Sequence, residues 1–112
     1  MDCEIVLLVA NIDVCRYFYR ETLGLGEPEF DSNLQVVFRL NGSTVLVLEQ
    51  CQAAFLEHSS SACRFALNIS DFEALKNRMQ KNGTPLTEEF SRYGKKAFRG
   101  IDPEGNVFGV IL

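Results

Sequence analysis

Chemistry in a chain begins with side chains that hold a charge, donate a lone pair or move a proton. Here that inventory is narrow. There is one histidine, His58, and there are four cysteines: Cys3, Cys15, Cys51 and Cys63. No two cysteines form a Cys-x-x-Cys pair, and none stands at finger spacing from His58, so the spacing argues against a zinc site. In a reducing compartment the four read as buried thiols. The sequence holds no nucleophile elbow, no phosphate loop and no histidine-based dyad. Any chemistry therefore falls to carboxylates and guanidinium groups, and these matter only where a strand or turn brings them together.

The positioning elements can be read from periodicity. Residues 3–9, CEIVLLV, are short, apolar and β-branched, as a buried strand requires. A helix is expected next, capped by Asn11 or Asp13, with Val14, Cys15, Phe18 and Tyr19 at helical spacing and Gly24 or Gly26 at its end. LQVVFRL and TVLVLEQ read as two strands joined at Asn41-Gly42, a pair that favours a type I′ hairpin turn. A serine-bearing connector, about 52–62, follows. RFALNIS is another strand, in which Phe65, Leu67 and Ile69 take one face and Arg64, Ala66 and Asn68 the other. Ser70 through Glu73 fits a capping box opening a helix striped by Phe72, Leu75 and Met79. Gly83 ends that helix. PLTEEF, KKAFRGI and NVFGVIL complete the chain as strands, the last two joined by the turn Asp102-Pro103-Glu104-Gly105-Asn106.

Composition bounds what these elements can serve. A chain of 112 residues is one domain long and can bury a real core. Its net charge of −4 argues against nucleic acid, which selects a basic face, and is compatible with a cationic ligand. No run approaches the roughly 20 apolar residues that cross a bilayer. Met1-Asp2-Cys3-Glu4 lacks the basic start of a secretory signal, so a cytoplasmic location is expected and no membrane partner.

The second half replays the first. Shifted by 60 positions, Cys3 falls on Cys63, Leu7 on Leu67, Phe30 on Phe90, Phe38 on Phe98, Arg39 on Arg99 and Val47 on Val107. Both halves read β-α-β-β-β, which points to an internal duplication. The segment from Val9 to Leu25, VANIDVCRYFYRETLGL, and the turn Ile101-Asp102-Pro103-Glu104-Gly105-Asn106 resemble the first helix and the final turn of the vicinal oxygen chelate (VOC) superfamily, the glyoxalase/bleomycin resistance protein/dioxygenase group. The resemblance implies an α+β fold of two βαβββ modules forming a cupped mixed sheet with helices on its outer face. It implies one domain over 1–112, with module one at about 1–52 and module two at about 63–112. Phe18, Tyr19 and the Asp102 turn have a structural reading: the first two pack a helix on a sheet and the turn sets hairpin register.

The resemblance also implies where a metal would sit in the family's metalloenzymes: at Glu4, at Glu49 or Val47, at Arg64 and at Gly109. Glycine has no donor, and arginine is protonated and would repel a cation. No metal and no other cofactor are therefore expected, and the electrophile of chelation chemistry is missing. A Glu4–Arg64 ion pair and a tuned Glu4 base are both open readings. Strand parity puts Glu4, Val6, Leu8, Arg64, Ala66 and Asn68 toward the cup and Val36, Phe38 and Leu40 under the helices. Arg39 and Arg99 then point to the cup or its rim, or stand in solvent. The expected binding set is Glu4, Arg39, Glu49, Arg64, Asn68 and Arg99, suited to a small cationic, aromatic or zwitterionic molecule. The function implied is non-catalytic small-molecule binding, as in drug sequestration, by a homodimer. The alternative is a metal-dependent lyase, isomerase or dioxygenase with a degenerate site.

Overall fold

Alternation along strand β1 (Cys3–Val9) buries Leu7 and Val9 and leaves Glu4 and Val6 exposed, the split that its sequence requires. The computed structural model describes residues 1–52 and 64–112. The chain divides into two compact units, Met1–Ala62 and Cys63–Leu112.

In the first unit β1 leads into helix α1 (Ile12–Tyr17), which continues as a π-helical turn over Phe18–Thr22. Asn11 is the cap: its Oδ1 accepts from the Val14 N–H at 3.2 Å. In the widened turn the Leu23 N–H donates five residues back to the Phe18 carbonyl at 2.8 Å. The apolar face then runs through Cys15, Phe18, Tyr19 and Leu23, all buried. Val14, expected on that face, is exposed instead, because the face begins at Ile12. Strands β2 (Phe30–Asp31), β3 (Gln35–Asn41) and β4 (Thr44–Gln50) complete a sheet of order β1-β4-β3-β2. β1 runs parallel to β4, and the other pairs are antiparallel. Val36 and Phe38 lie buried as expected, Phe38 with its ring 6.4 Å from that of Tyr19, while Leu40 is only half-buried. Gln50 ties the end of β4 to the start of α1: its Oε1 accepts from the Ile12 N–H at 2.9 Å and its Nε2 donates to the Ala10 carbonyl at 2.6 Å.

The second unit has β5 (Phe65–Asn68), helix α2 (Phe72–Lys81), β6 (Thr87–Arg92), β7 (Lys95–Ile101) and β8 (Val107–Ile111), in the order β5-β8-β7-β6. Phe65 and Leu67 are buried and Arg64, Ala66 and Asn68 exposed, as their period of two demands. Helix α2 buries Leu75 and Met79, and Phe72 lies 4.5 Å from Phe98, centroid to centroid. Its cap is Asp71, whose Oδ1 accepts from the Ala74 N–H at 3.2 Å; the expected capping box from Ser70 to Glu73 is one residue out of phase. No described helix is long and apolar enough to cross a membrane.

Turn geometry also departs from expectation. The β3–β4 hairpin forms, but neither Asn41 nor Gly42 has positive φ, so the turn is not type I′. Asn41 Oδ1 instead accepts from the Ser43 N–H at 2.9 Å, and a register shift between Arg39 and Asn41 absorbs the twist. The type I′ geometry occurs in the second module, where Tyr93 (φ 53°) and Gly94 (φ 74°) join β6 to β7. The Asp102 turn is structural, as read: Asp102 is 4% exposed, and its Oδ1 accepts from the N–H groups of Glu104 and Asn106 at 2.9 and 2.8 Å.

The cysteines are not uniformly buried. Cys15 is, Cys51 is half-buried, and Cys3 is exposed at the outer end of β1. Cys63, His58 and the connector's serine run lie outside the described residues.

Register corrects the repeat. The caps Asn11 and Asp71 keep the offset of 60, and so does Leu7 against Leu67. Val6 then pairs with Val47, whereas its counterpart Ala66 pairs with Gly109, an offset of 62 in the last strand. The same offset applies to β3 against β7, because Phe38 faces Leu46 and Gly100 faces Phe108. Arg39 and Arg99, Phe38 and Phe98, and Val47 and Val107 are therefore not equivalent positions. Gly109 corresponds to Val47, not to Glu49.

Candidate functional site

In each module the sheet face opposite the helix is the open one, although Val45, Val47 and Ala97 on it are buried. In the first, hydrogen-bonded register aligns three rows across the strands: Glu4, Val45 and Arg39; Val6, Val47, Val37 and Phe30; Leu8, Glu49 and Gln35. The middle row is wholly apolar. Arg39 is held by Glu29 in a two-pronged pair, Nε to Oε1 at 2.9 Å and Nη2 to Oε2 at 3.0 Å. That pairing raises the Arg39 pKa and lowers that of Glu29. Glu49 accepts from Gln35 Nε2 at 3.0 Å and borders a cavity of about 480 Å3 beside Leu8, Gln50 and Cys51.

The second module is built differently. Ala66, Gly109, Arg99 and Thr87 form one row, and Asn68, Ile111, Ala97 and Glu89 the next. Ala66 and Gly109 give the row a floor of minimal bulk. Above it stand three arginines. Arg64, just ahead of β5, donates through Nη2 to Glu89 Oε2. Arg99 Nε lies 4.0 Å from the other oxygen, Glu89 Oε1. Arg92 arrives by a slip in pairing. β6 and β7 are in regular register from Thr87 to Glu89, but then Arg92, rather than Ser91, pairs with Lys95. One extra residue reverses the side on which a side chain emerges, so Arg92 joins Glu89 on the open face. A Cβ placed on Gly109 would lie 3.5 Å from Arg64 Nη2 and 3.6 Å from Arg92 Nη1. Arg64, Glu89, Phe90, Arg92 and Arg99 line an open cavity of about 650 Å3.

The structure thus brings Arg64 and Arg99 together around one carboxylate and puts Asn68 one row away on the same face. Glu4 and Arg39 share a row of the first module, and Glu49 borders that module's own cavity. Glu89 and Arg92 were not among the expected site residues. PLTEEF reads as an ordinary strand, and no periodicity signals the bulge that turns Arg92 onto the open face.

No protein-family model and no curated protein matches the sequence. Solved structures do resemble the fold. A glyoxalase/bleomycin resistance protein from Catenulispora acidiphila superposes with a TM-score of 0.74 at 20% identity, over 99% of this chain and 96% of that one. The lactoylglutathione lyase of Agrobacterium tumefaciens gives 0.73 at 21% identity, over 99% and 92%. TnmS3, an antibiotic binding protein from a Streptomyces species, gives 0.71 at 22%, over 99% and 93%.

The chain has the glyoxalase/bleomycin resistance fold.

Within this fold the metal positions implied by the sequence resemblance can be tested against the residues present. The corrected register makes them Glu4, Val47, Arg64 and Gly109. Only Glu4 has a donor side chain. The space beside Gly109 is flanked by two guanidinium groups, which present N–H donors and positive charge where a cation needs lone pairs. Among the described residues, no three or more His, Cys, Asp or Glu side chains gather where they could hold an ion. These positions do not fit a divalent metal.

Proposed function

We propose that the chain is a non-catalytic small-molecule-binding protein of the VOC superfamily, its two modules acting as one domain. The observation that carries this reading is the pairing of an open cavity with the residues at the metal positions. Arg64 and Gly109 leave no donor set for an ion, yet the surrounding face keeps about 650 Å3 of space and polar groups converging on it. TnmS3, an antibiotic binding protein, shares the fold, which supports drug sequestration as the form such binding takes. The candidate binding residues are Arg64, Asn68 and Arg99 on the open face of module two and, separately, Glu4, Arg39 and Glu49 on that of module one; the 650 Å3 cavity belongs to module two alone. A cytoplasmic homodimer completes the proposal.

A thermal-shift screen against antibiotics, aromatic metabolites and divalent metals tests it, since a ligand that binds only the folded state raises the melting temperature. Stabilisation by organic compounds and none by metals is expected. A near-stoichiometric ion retained by purified protein, or activity that tracks added metal, would overturn the reading in favour of a lyase, isomerase or dioxygenase. Light scattering that returns a monomer at micromolar concentration removes the dimer.

A further inference from the structure

The charge balance of the second module's open face points to the chemistry of its ligand. Three arginines and two glutamates border the cavity. Glu88 lies 3.7 Å from Lys96, and both groups are exposed. Glu89 is committed to Arg64, with Arg99 at 4.0 Å from its second oxygen. Arg92 is half-buried and has no carboxylate partner among the described residues. A guanidinium drawn partly out of water without a counter-ion is unfavourable unless something anionic meets it. Its Nη1 and the Nη2 of Arg64 flank the same point above Gly109, 3.6 and 3.5 Å from where a Cβ on that glycine would stand, and both residues line the open cavity of about 650 Å3 from which a small group can reach them.

We infer that Arg92 and Arg64, with Arg99 lining the same cavity, form a receptor for an oxyanion, the carboxylate or phosphate of a small organic molecule, held between the guanidinium groups beside Gly109. The fork of an arginine matches two oxygens of either group. Glu89 holds Arg64 and Arg99 in place while the site is empty, and an entering oxyanion competes with it. The exposed ring of Phe90, on the cavity wall, offers an apolar flank for the rest of the molecule. This rests on the small-molecule reading above and replaces the cationic ligand that net charge suggested. The overall charge of −4 is an average; the local field at this cavity is set by its arginines.

Calorimetric titration of the full chain with four probes of similar size tests the inference: benzoate, phenyl phosphate, neutral benzamide and cationic benzamidine. Benzoate or phenyl phosphate should bind, and both more tightly than benzamide; which of the two wins identifies the source of the oxyanion. Benzamidine should not bind at this site. Arg92→Gln should weaken the anions at least about tenfold, the loss expected for one charge-assisted hydrogen bond, without lowering the melting temperature. Arg92→Lys should recover part of the affinity, and Glu89→Gln should tighten it. Anion affinity untouched by Arg92→Gln, or benzamidine bound as tightly as benzoate, overturns the inference. So does a failure of both anions to bind. If the anions fail while a compound from the thermal screen binds, only the oxyanion site is lost; if nothing binds in either experiment, the binding function falls with it.

Discussion

The two modules share one topology and one sheet order, yet they solve the same local problems with different residues. Where β3 faces β4, the first module sets Phe38 against Leu46. At the matching place the second sets Gly100 against Phe108. Large and small have changed sides of the pair. The matching segments Leu40–Thr44, which holds the two-residue link between β3 and β4, and Asp102–Asn106, the five-residue link between β7 and β8, also differ. One is held by an exposed Asn41, the other by a buried Asp102 carrying several hydrogen bonds. On the open faces, one module presents a row of apolar side chains and the other a cluster of arginines. Two modules of one topology share their strand pairing because pairing rests on the backbone, while side chains that fill equivalent space can trade places. On the open faces the matched middle rows share no residue, Val6, Val47 and Val37 standing in one module where Ala66, Gly109 and Arg99 stand in the other.

The comparison can be broken at its packing first. Phe38→Ala removes a buried ring from under the first helix and is expected to cost about 3–5 kcal/mol, measured by denaturant unfolding. A loss below about 1 kcal/mol would show that the Phe38–Leu46 contact is not the core of its module. Next, Asp102→Ala orphans the N–H groups of Glu104 and Asn106 and should cost about 2–3 kcal/mol, against less than about 1 for Asn41→Ala in the matching turn. Equal losses would erase the distinction between the two connections. Gly100→Ala should cost about 1–3 kcal/mol, because the new Cβ would come within 2.9 Å of the buried Phe108 ring. Pairing it with Phe108→Leu should restore part of the loss, since the smaller side chain makes room for the new Cβ, as Leu46 makes room opposite Phe38.

The smallest effect concerns charge. Arg39 holds the Glu29 carboxyl below its ordinary value of 4.5. A lowered folded-state value means the stabilisation is present above 4.5 and disappears as pH falls through that lowered value. Glu29→Gln should therefore reduce the melting temperature slightly at pH 7 and not at all well below pH 4. The pair is exposed, so the difference at neutral pH is small.

Most of the frame was legible in the sequence. The limits of β1, β4 and β7 coincide with the runs CEIVLLV, TVLVLEQ and KKAFRGI, because alternation and apolar runs report burial directly. The Asp102 turn was legible for a related reason: proline, glycine and aspartate each state a backbone requirement. What escaped depends on relations between strands. An ungapped shift of 60 cannot register the change to 62 in the last two strands of each module, so the arginine match between Arg39 and Arg99 was a coincidence of spacing. Asn41-Gly42 advertised a type I′ turn that Tyr93-Gly94 makes, since the twist of the flanking strands can be met by a bulge as well as by positive φ. The candidate site suffered most. Arg64, Arg99 and Asn68 were expected from parity, but Arg92 reaches the open face only through the bulge in β6, and Glu89 matters only because Arg64 and Arg99 converge on it.

The central claim is that the ligand site lies on the arginine face of the second module rather than beside Glu49 in the first. Amide chemical shifts during a benzoate titration test it most directly. The expected result is saturable shifts concentrated at Ala66, Glu89, Arg92 and Gly109, with Leu8, Glu49 and Cys51 unmoved. Saturable shifts at Leu8, Glu49 and Cys51 with a silent Gly109 would contradict it.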